Sequence, residues 1–411
     1  MSEHGDHQPV RSIDDYALVL DRLTATGQIL RPGRLPVAIP LRNDSPFETT
    51  SRVARTTYRA HERTLTIKTT TGDQIVAEMP TRHGTDPRGG RPSVYLDQKD
   101  WSALYIARHV IGGLIPKEQR AAEWLIEQAE NKRIILPLSA GHMSETCQWG
   151  NDAERYALAV QMLRLSAGWQ LRDPLTVRQD ELTASLLDMF GIDNQNSGRQ
   201  VITLEPFASH AGREQSPHSV PDDLASVGLE WRAMISVAAN FDTLLDAEPI
   251  AQTPDTGWVI RNQNFTDWLA AEPNAGRELT RKRTYAFFFA DVRTEVAEAA
   301  YNAGLSPDQM SSWISTRMET DVAEMPNLGL FREILHDKLG DKGTKWNGND
   351  LTDIFYLSCG AAYCDYAIGE KSLMSRARQS LRRLGRPVNV FGRLSDCVPV
   401  LADRIGERFA G

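Results

Sequence analysis

Ser93-Val94-Tyr95-Leu96-Asp97 is a short β-prone run that ends in a carboxylate, and helical sequence follows it from Lys99 to Val110. A second helical stretch spans Pro116 to Asn131, with proline at its start, where the missing N–H costs nothing. Arg133-Ile134-Ile135-Leu136-Pro137-Leu138 then reads as another buried strand. Ser139-Ala140-Gly141-His142-Met143-Ser144-Glu145-Thr146 leads from it into a helix, and Asn151 to Ala167 makes the next one. Strand, helices, strand, helices is the grammar of a parallel α/β sheet, because parallel neighbours need helical crossovers.

Outward from this block the texture changes on both sides. From about Glu181 to Lys345 the strands disappear and helical period dominates, over Asp222–Ala247, Glu278–Ala303, Pro307–Glu324 and Phe331–Leu339. The α/β grammar then resumes. Asn349 to Cys364 is helical, Tyr366-Ala367-Ile368-Gly369 is a strand, Ser372 to Leu384 is helical and Pro387-Val388-Asn389-Val390-Phe391 is a last strand. On the N-terminal side, Thr64-Leu65-Thr66-Ile67-Lys68 and Ile75-Val76-Ala77-Glu78-Met79 alternate on either side of Gly72-Asp73, a hairpin signal. Ile13 to Leu23 reads as a short helix, and His83 to Pro92 is dense enough in turn formers to be a linker. The expected division is a β-containing N-terminal unit over 1–91, an α/β domain over 92–180 and 346–411, and a helical insertion over 181–345.

Composition agrees with a globular chain of this kind. With 411 residues, 41% hydrophobic and 24% charged, it is long enough for two or three structural units and too apolar for disorder. No uninterrupted apolar run approaches the roughly 18 residues of a membrane span, so no membrane partner is expected. The start of the chain has neither a basic nor an apolar leader region. Cys147, Cys359, Cys364 and Cys397 lack metal-ligand or redox spacing, and read as reduced, mostly buried thiols of a cytoplasmic protein.

The net charge is −8, which argues against indiscriminate nucleic-acid binding by the whole surface. The charge is segregated, however. From Lys371 to Arg393 the chain carries Lys371, Arg376, Arg378, Arg382, Arg383, Arg386 and Arg393 and no acid. That run can make a basic face, or simply a solvated helix.

The acids stand where open α/β sheets collect functional groups, at the carboxyl ends of strands. Asp97 closes the first strand and Glu145 lies on the helix after the second. Asp350 and Asp353 open the helix before the third, and Glu370 follows the third directly. Converging carboxylates repel one another unless cations hold them, and an all-oxygen site suits Mg²⁺ or Mn²⁺. Each acid also has a structural use. Asp97 can cap a helix, Asp350 and Asp353 can complement a helix dipole, and Glu145 can sit on the surface with His142 as a polar neighbour.

The chain resembles the PIN-domain nucleases. The first acidic motif is Val94-Tyr95-Leu96-Asp97 and the second is Leu138 to Thr146, containing Glu145. The third is Asn349-Asp350-Leu351-Thr352-Asp353-Ile354 running on to Asp365, and Tyr366-Ala367-Ile368-Gly369-Glu370-Lys371 closes the pattern. Spacing to Gly369 places Asp353 in the third acidic position, with Asp350 its competitor. Gly369 stands where the family carries Thr or Ser, Glu370 where it carries Asp, and the helical segment separates the second motif from the third.

The resemblance implies a three-layer α/β/α domain with a parallel sheet, interrupted by the insertion. It implies a Mg²⁺- or Mn²⁺-dependent nuclease, an endoribonuclease first, that hydrolyses RNA with a metal-activated water and leaves 5′-phosphate and 3′-hydroxyl ends. DNA is a second substrate class. Asp97, Glu145 and Asp353 would be the catalytic metal ligands, with Glu370 or Asp350 completing the set. Lys371, Arg376, Arg378, Arg382 and Arg383 would hold substrate phosphates. A toxin or defence ribonuclease, with an inhibitory protein partner or a homo-oligomeric state, is compatible with it. Two rivals stand beside it. A haloacid-dehalogenase-like phosphatase needs a second Asp two residues after the first, where this chain has Lys99. A catalytically degenerate PIN-like module would act as a binding or scaffold protein.

Overall fold

The computed structural model describes residues 15–39, 51–79, 86–148, 151–192, 199–210, 225–245, 257–272 and 276–409. The chain is mixed α/β and divides into two compact units, one of Met1–Arg82 with Gln215–Asp246 and one of His83–Glu214 with Ala247–Gly411.

The first unit is an antiparallel sheet in the order β3-β2-β1-β4-β5-β6. Its strands are β1 (Ala17–Asp21), β2 (Thr26–Leu30), β3 (Val37–Ile39), β4 (Val53–Arg59), β5 (Thr64–Thr69) and β6 (Gln74–Glu78). The hairpin read from the sequence is β5–β6, with Ile67 opposite Ile75 and Gly72 at a φ of +93° in the turn, a conformation that only glycine takes without strain. Leu65, Ile67, Ile75 and Ala77 all point to one buried face. The cover for that face comes from far along the chain. The helix Ala225–Leu245 buries Met234, Val237, Ala238 and Phe241. Its Asp242 carboxylate accepts the backbone N–H groups of Arg52 at 2.7 Å and Val53 at 3.3 Å, at the start of β4.

Two sequence expectations change here. Residues 225–245 belong with the N-terminal sheet instead of with the helical insertion. The helix expected over Ile13–Leu23 is β1 for Ala17–Asp21, while Ile13 lies outside the described residues. Leu18, Val19 and Leu20 are all buried, and β1 has a paired strand on either side. A continuous apolar run has no period to tell strand from helix, so pairing decides.

In the second unit the elements, with the helix of the first unit counted as α6, are β7 (Val94–Leu96), α1 (Gln98–His109), α2 (Pro116–Glu130), α3 (Ala140–Thr146), α4 (Asp152–Ser166), β8 (Gln170–Leu171), α5 (Pro174–Met189) and β9 (Ile202–Thr203). After α6 come α7 (Trp258–Ala271), α8 (Arg277–Asn302), α9 (Pro307–Thr316), α10 (Met318–Glu324), α11 (Pro326–Leu339) and α12 (Asp350–Tyr363). Then follow β10 (Tyr366–Ile368), α13 (Lys371–Arg383), β11 (Val390–Phe391) and α14 (Leu394–Arg404).

β7, β10 and β11 form a parallel sheet in the order β11-β10-β7. The expected strand over 133–138 extends it only through single parallel bridges, Ile135 to Ser93 and Leu138 to Gln170. Ile135 donates to the Pro92 carbonyl and accepts from Val94, but two residues on, Pro137 has no N–H to continue the ladder. Leu138 instead pairs outward, with Trp169 and Leu171. The parallel order is therefore β11, β10, β7, the 133–138 segment, then β8, with β9 antiparallel at the edge.

The helices over 257–345 are built into this unit. Phe288, Val292, Phe331, Ile334 and Leu335 share one apolar cluster with Tyr95, Leu171, Leu357 and Met374. The expected boundary at Glu181 falls inside α5. Its buried carboxylate accepts from the backbone N–H groups of Asn327 at 2.7 Å and Leu328 at 2.9 Å, and from the Tyr363 hydroxyl at 2.6 Å. Glu181 thus caps α11, which has no side-chain cap of its own, and ties α5 and α12 to it.

Candidate active site

Strand order fixes where a ligand can sit. From β7 the chain moves to one side, through 133–138 to β8, and returns on the other side as β10 and β11. The reversal lies between β7 and β10, and the crevice beyond their carboxyl ends is the position that open α/β sheets use for ligands. Asp97 follows β7, and its N–H donates to the Ile368 carbonyl at 2.9 Å. Gly369 and Glu370 follow β10. A crossover helix runs back along its strands, so α12 brings its first turn, with Asp350 and Asp353, to the same edge, and α3 leaves that edge carrying Glu145.

One cavity opens there, lined by Tyr95, Asp97, Glu145, Asp353, Tyr356 and Met374 among others. Three acids from three separate parts of the sequence therefore face a common space. Burial pushes the Asp97 carboxyl above its ordinary value, against the pull of the Gln98 N–H and the Lys99 charge. Burial, then the charges of Asp353 and Asp97, push Glu145 up to about 7. Burial, then Asp97, Asp350 and Glu370, push Asp353 up to about 7. Desolvation and like charge act in the same direction. Asp97 also serves its structural role, since Oδ1 accepts the Gln98 N–H at 2.9 Å as the cap of α1.

The other expected site residues separate into two groups. Asp350 is held by Lys338 at 2.5 Å and by the Asn347 N–H at 2.6 Å. Glu370 is exposed at the start of α13, where its Oε1 accepts the Ser372 hydroxyl at 2.7 Å. The basic stretch is mostly structural. Arg376 pairs with Asp341 at 2.6 Å, and Arg378 donates to the Val390 carbonyl. Arg383 binds Glu333 at 3.0 Å and Asp337 at 2.8 Å, and Arg386 holds the carbonyls of Ala323, Met325 and Pro326. Arg376, Arg383 and Arg386 fasten α13 and the loop after it to α11 and its flanks, and Arg378 fastens α13 to β11, which is a different use from the phosphate contacts expected of Arg376, Arg378 and Arg383. Lys371 and Arg382 are exposed, with no ion pair among the described residues.

Sequence reasoning missed several lining residues. His142 is buried beside Tyr95, ring centroids 5.2 Å apart, and burial pushes its pKa down to about 4. Its Nδ1 accepts the Ser139 N–H at 3.1 Å, completing a capping box whose Ser-x-x-His spacing was legible. Tyr356 enters the cavity wall because Gly141 leaves room, since a Cβ there would lie 2.7 Å from its ring. At Gly369 a Cβ would lie 2.4 Å from Met374 Cε, so Met374 fills the space that a side chain at this position would need.

Comparison with known protein families, curated proteins and solved structures gives no match. Among the described residues no three His, Cys, Asp or Glu side chains stand close enough to hold an ion as they are. The three carboxylates at the cavity fit a hard divalent cation, which would relieve their mutual repulsion.

Burial and that repulsion together have a measurable consequence without metal. Glu145 and Asp353 take up protons more readily folded than unfolded, so the folded state is favoured by acid and loses stability as pH rises towards about 7. In chelator, Glu145→Gln should raise the melting temperature at about pH 8 and give little at about pH 5. Asp100, also pushed up to about 7 by burial, contributes equally to both proteins and cancels in the difference. An equal gain at both pH values would mean that burial and like charge do not raise Glu145.

Proposed function

We propose that this protein is a divalent-metal-dependent phosphodiesterase of the PIN-like kind, an endoribonuclease first. The observation that carries this is the meeting of Asp97, Glu145 and Asp353 on one cavity at the carboxyl edge of the parallel sheet. The strand order, with its reversal between β7 and β10, supports a three-layer PIN-like arrangement. Asp97, Glu145 and Asp353 would hold Mg²⁺ or Mn²⁺. Glu370 is the better fourth ligand, since Asp350 is already paired with Lys338. When bound, such an ion lowers the pKa of a coordinated water and neutralises charge on a phosphate. The chain's own part is to exclude bulk water with Tyr95, Tyr356, Leu373 and Met374 and to keep the acids desolvated.

Among the basic residues, Lys371 and Arg382 remain for phosphate contacts outside the cavity. Four buried cysteine thiols fit a reducing, cytoplasmic setting. Among the described residues no helix is long and apolar enough to cross a membrane. An inhibitory protein partner and self-association belong to the same reading.

The test is calorimetry with Mn²⁺ on the full chain, together with cleavage of mixed-sequence RNA and DNA. Saturable Mn²⁺ binding and Mn²⁺-dependent cleavage are expected, both lost in Asp353→Asn. Absence of specific Mn²⁺ binding by the parent would sink the reading and leave the degenerate binding module.

A further inference from the structure

The cavity gathers negative charge, yet the substrate proposed for it is a polyanion. Ions at the acids would offset only part of that, so a fixed cation of the chain should stand at the rim. Within the basic stretch Arg376, Arg383 and Arg386 are spent on α11 and its flanks and Arg378 on β11, which leaves Lys371 and Arg382, neither anchored by a side-chain hydrogen bond or ion pair among the described residues. Lys338 is spent on Asp350. Lys99 is placed differently. It lies in the first turn of α1, two residues after Asp97, and is exposed. Its Nζ donates to the Gly369 carbonyl at 2.8 Å. That one bond fixes the ammonium at the carboxyl ends of both β7 and β10, where the strand order reverses. It makes no ion pair within 4.0 Å with any carboxylate among the described residues.

An ammonium has three donors, so two remain for a ligand. The N-terminal end of α1 adds a favourable field for an anion at the same place.

We propose that Lys99 is the substrate-contacting cation of this site, holding a non-bridging oxygen of the scissile phosphate through the N–H groups not used by Gly369. This rests on the phosphodiesterase reading and goes beyond it by naming the residue that meets the substrate. Its role is electrostatic, with no proton transferred and no bond formed. The Gly369 carbonyl orients the side chain.

The experiment compares the parent, Lys99→Ala, Lys99→Arg and Asp97→Asn in full-length protein with Mn²⁺ and mixed-sequence single-stranded RNA. Removing one preorganised donor to developing charge costs about 10²–10³ in kcat. Lys99→Ala should lose that much while keeping the parental Mn²⁺ affinity and melting temperature. Lys99→Arg should retain most of the activity, and added methylammonium should restore part of the activity of Lys99→Ala alone. If Lys99→Ala cleaves at the parental rate while Asp97→Asn does not, the inference fails and the nuclease reading survives. If Lys99→Ala loses Mn²⁺ affinity or folding in step with activity and methylammonium restores nothing, Lys99 only ties α1 to β10, and the inference is overturned. If the parent does not cleave, the nuclease reading itself has failed.

Discussion

Asp97→Asn should fold like the parent and lose nuclease activity by about three orders of magnitude or more, since metal stabilisation of a transition state is worth several kcal/mol and each 1.36 kcal/mol is tenfold. The residue has two jobs that the substitution separates. As the cap of α1 it needs one oxygen to accept the Gln98 N–H, and the Asn side-chain carbonyl does that equally well. As a cavity acid it needs charge, and Asn has none. The melting temperature in chelator should therefore stay level or rise, because one of the charges that pushes Glu145 and Asp353 upwards has gone. Mn²⁺ affinity should fall together with cleavage. An Asn variant that cleaves RNA at the parental rate would show that Asp97 is a helix cap and nothing more.

What could be read in advance follows from how local each signal is. The strand ending at Asp97, the hairpin at Gly72-Asp73 and the helix opening on Asp350 and Asp353 are specified by neighbours a few residues apart, and these appear as expected. The cavity was legible because strand ends and helix starts in a parallel sheet share an edge, so position in the chain implies position in space.

Features set by distant partners were not legible. Leu18-Val19-Leu20 carries no period, and only pairing with β2 and β4 makes it a strand. Nothing within Ala225–Leu245 says that its apolar face covers a sheet formed near the N-terminus. The pairing of the basic stretch was hidden for the same reason. Its charges were counted along the chain, while their partners Glu333, Asp337 and Asp341 come from the helical middle segment, so an apparent excess is neutralised in space. Lys99 was noticed only as the residue that excludes a phosphatase, because its bond to Gly369 joins two motifs far apart in sequence.

Glu333→Gln carries the largest expected effect on stability. Glu333 is fully buried on α11. It accepts from the Tyr285 hydroxyl, from Arg281 at 3.2 Å, from Arg332 at 3.3 Å and from Arg383 at 3.0 Å. Burial alone would push its pKa up, but the Tyr285 hydroxyl and the three guanidinium groups outweigh that and hold it below the ordinary glutamate value.

Removing the charge leaves Arg332, only 3% exposed, buried without its counter-ion. Breaking a buried pair in this way costs about 3–5 kcal/mol, a shift of roughly 5–15 °C in a unit of this size. Only the transition of the α/β unit should move, because the N-terminal sheet with its helix forms a separate compact unit.

The sign with pH is fixed as well. A carboxylate held below its ordinary value stabilises the fold above that value and loses the contribution as acid protonates it. The gap between parent and Glu333→Gln should therefore close as the pH falls below the usual glutamate range. Cleavage at temperatures well below the transition should stay near parental, because Glu333 and its partners do not line the cavity. Differential scanning calorimetry across pH decides the matter. An unmoved transition would mean that the arginines hold α13 to α11 without help from this charge.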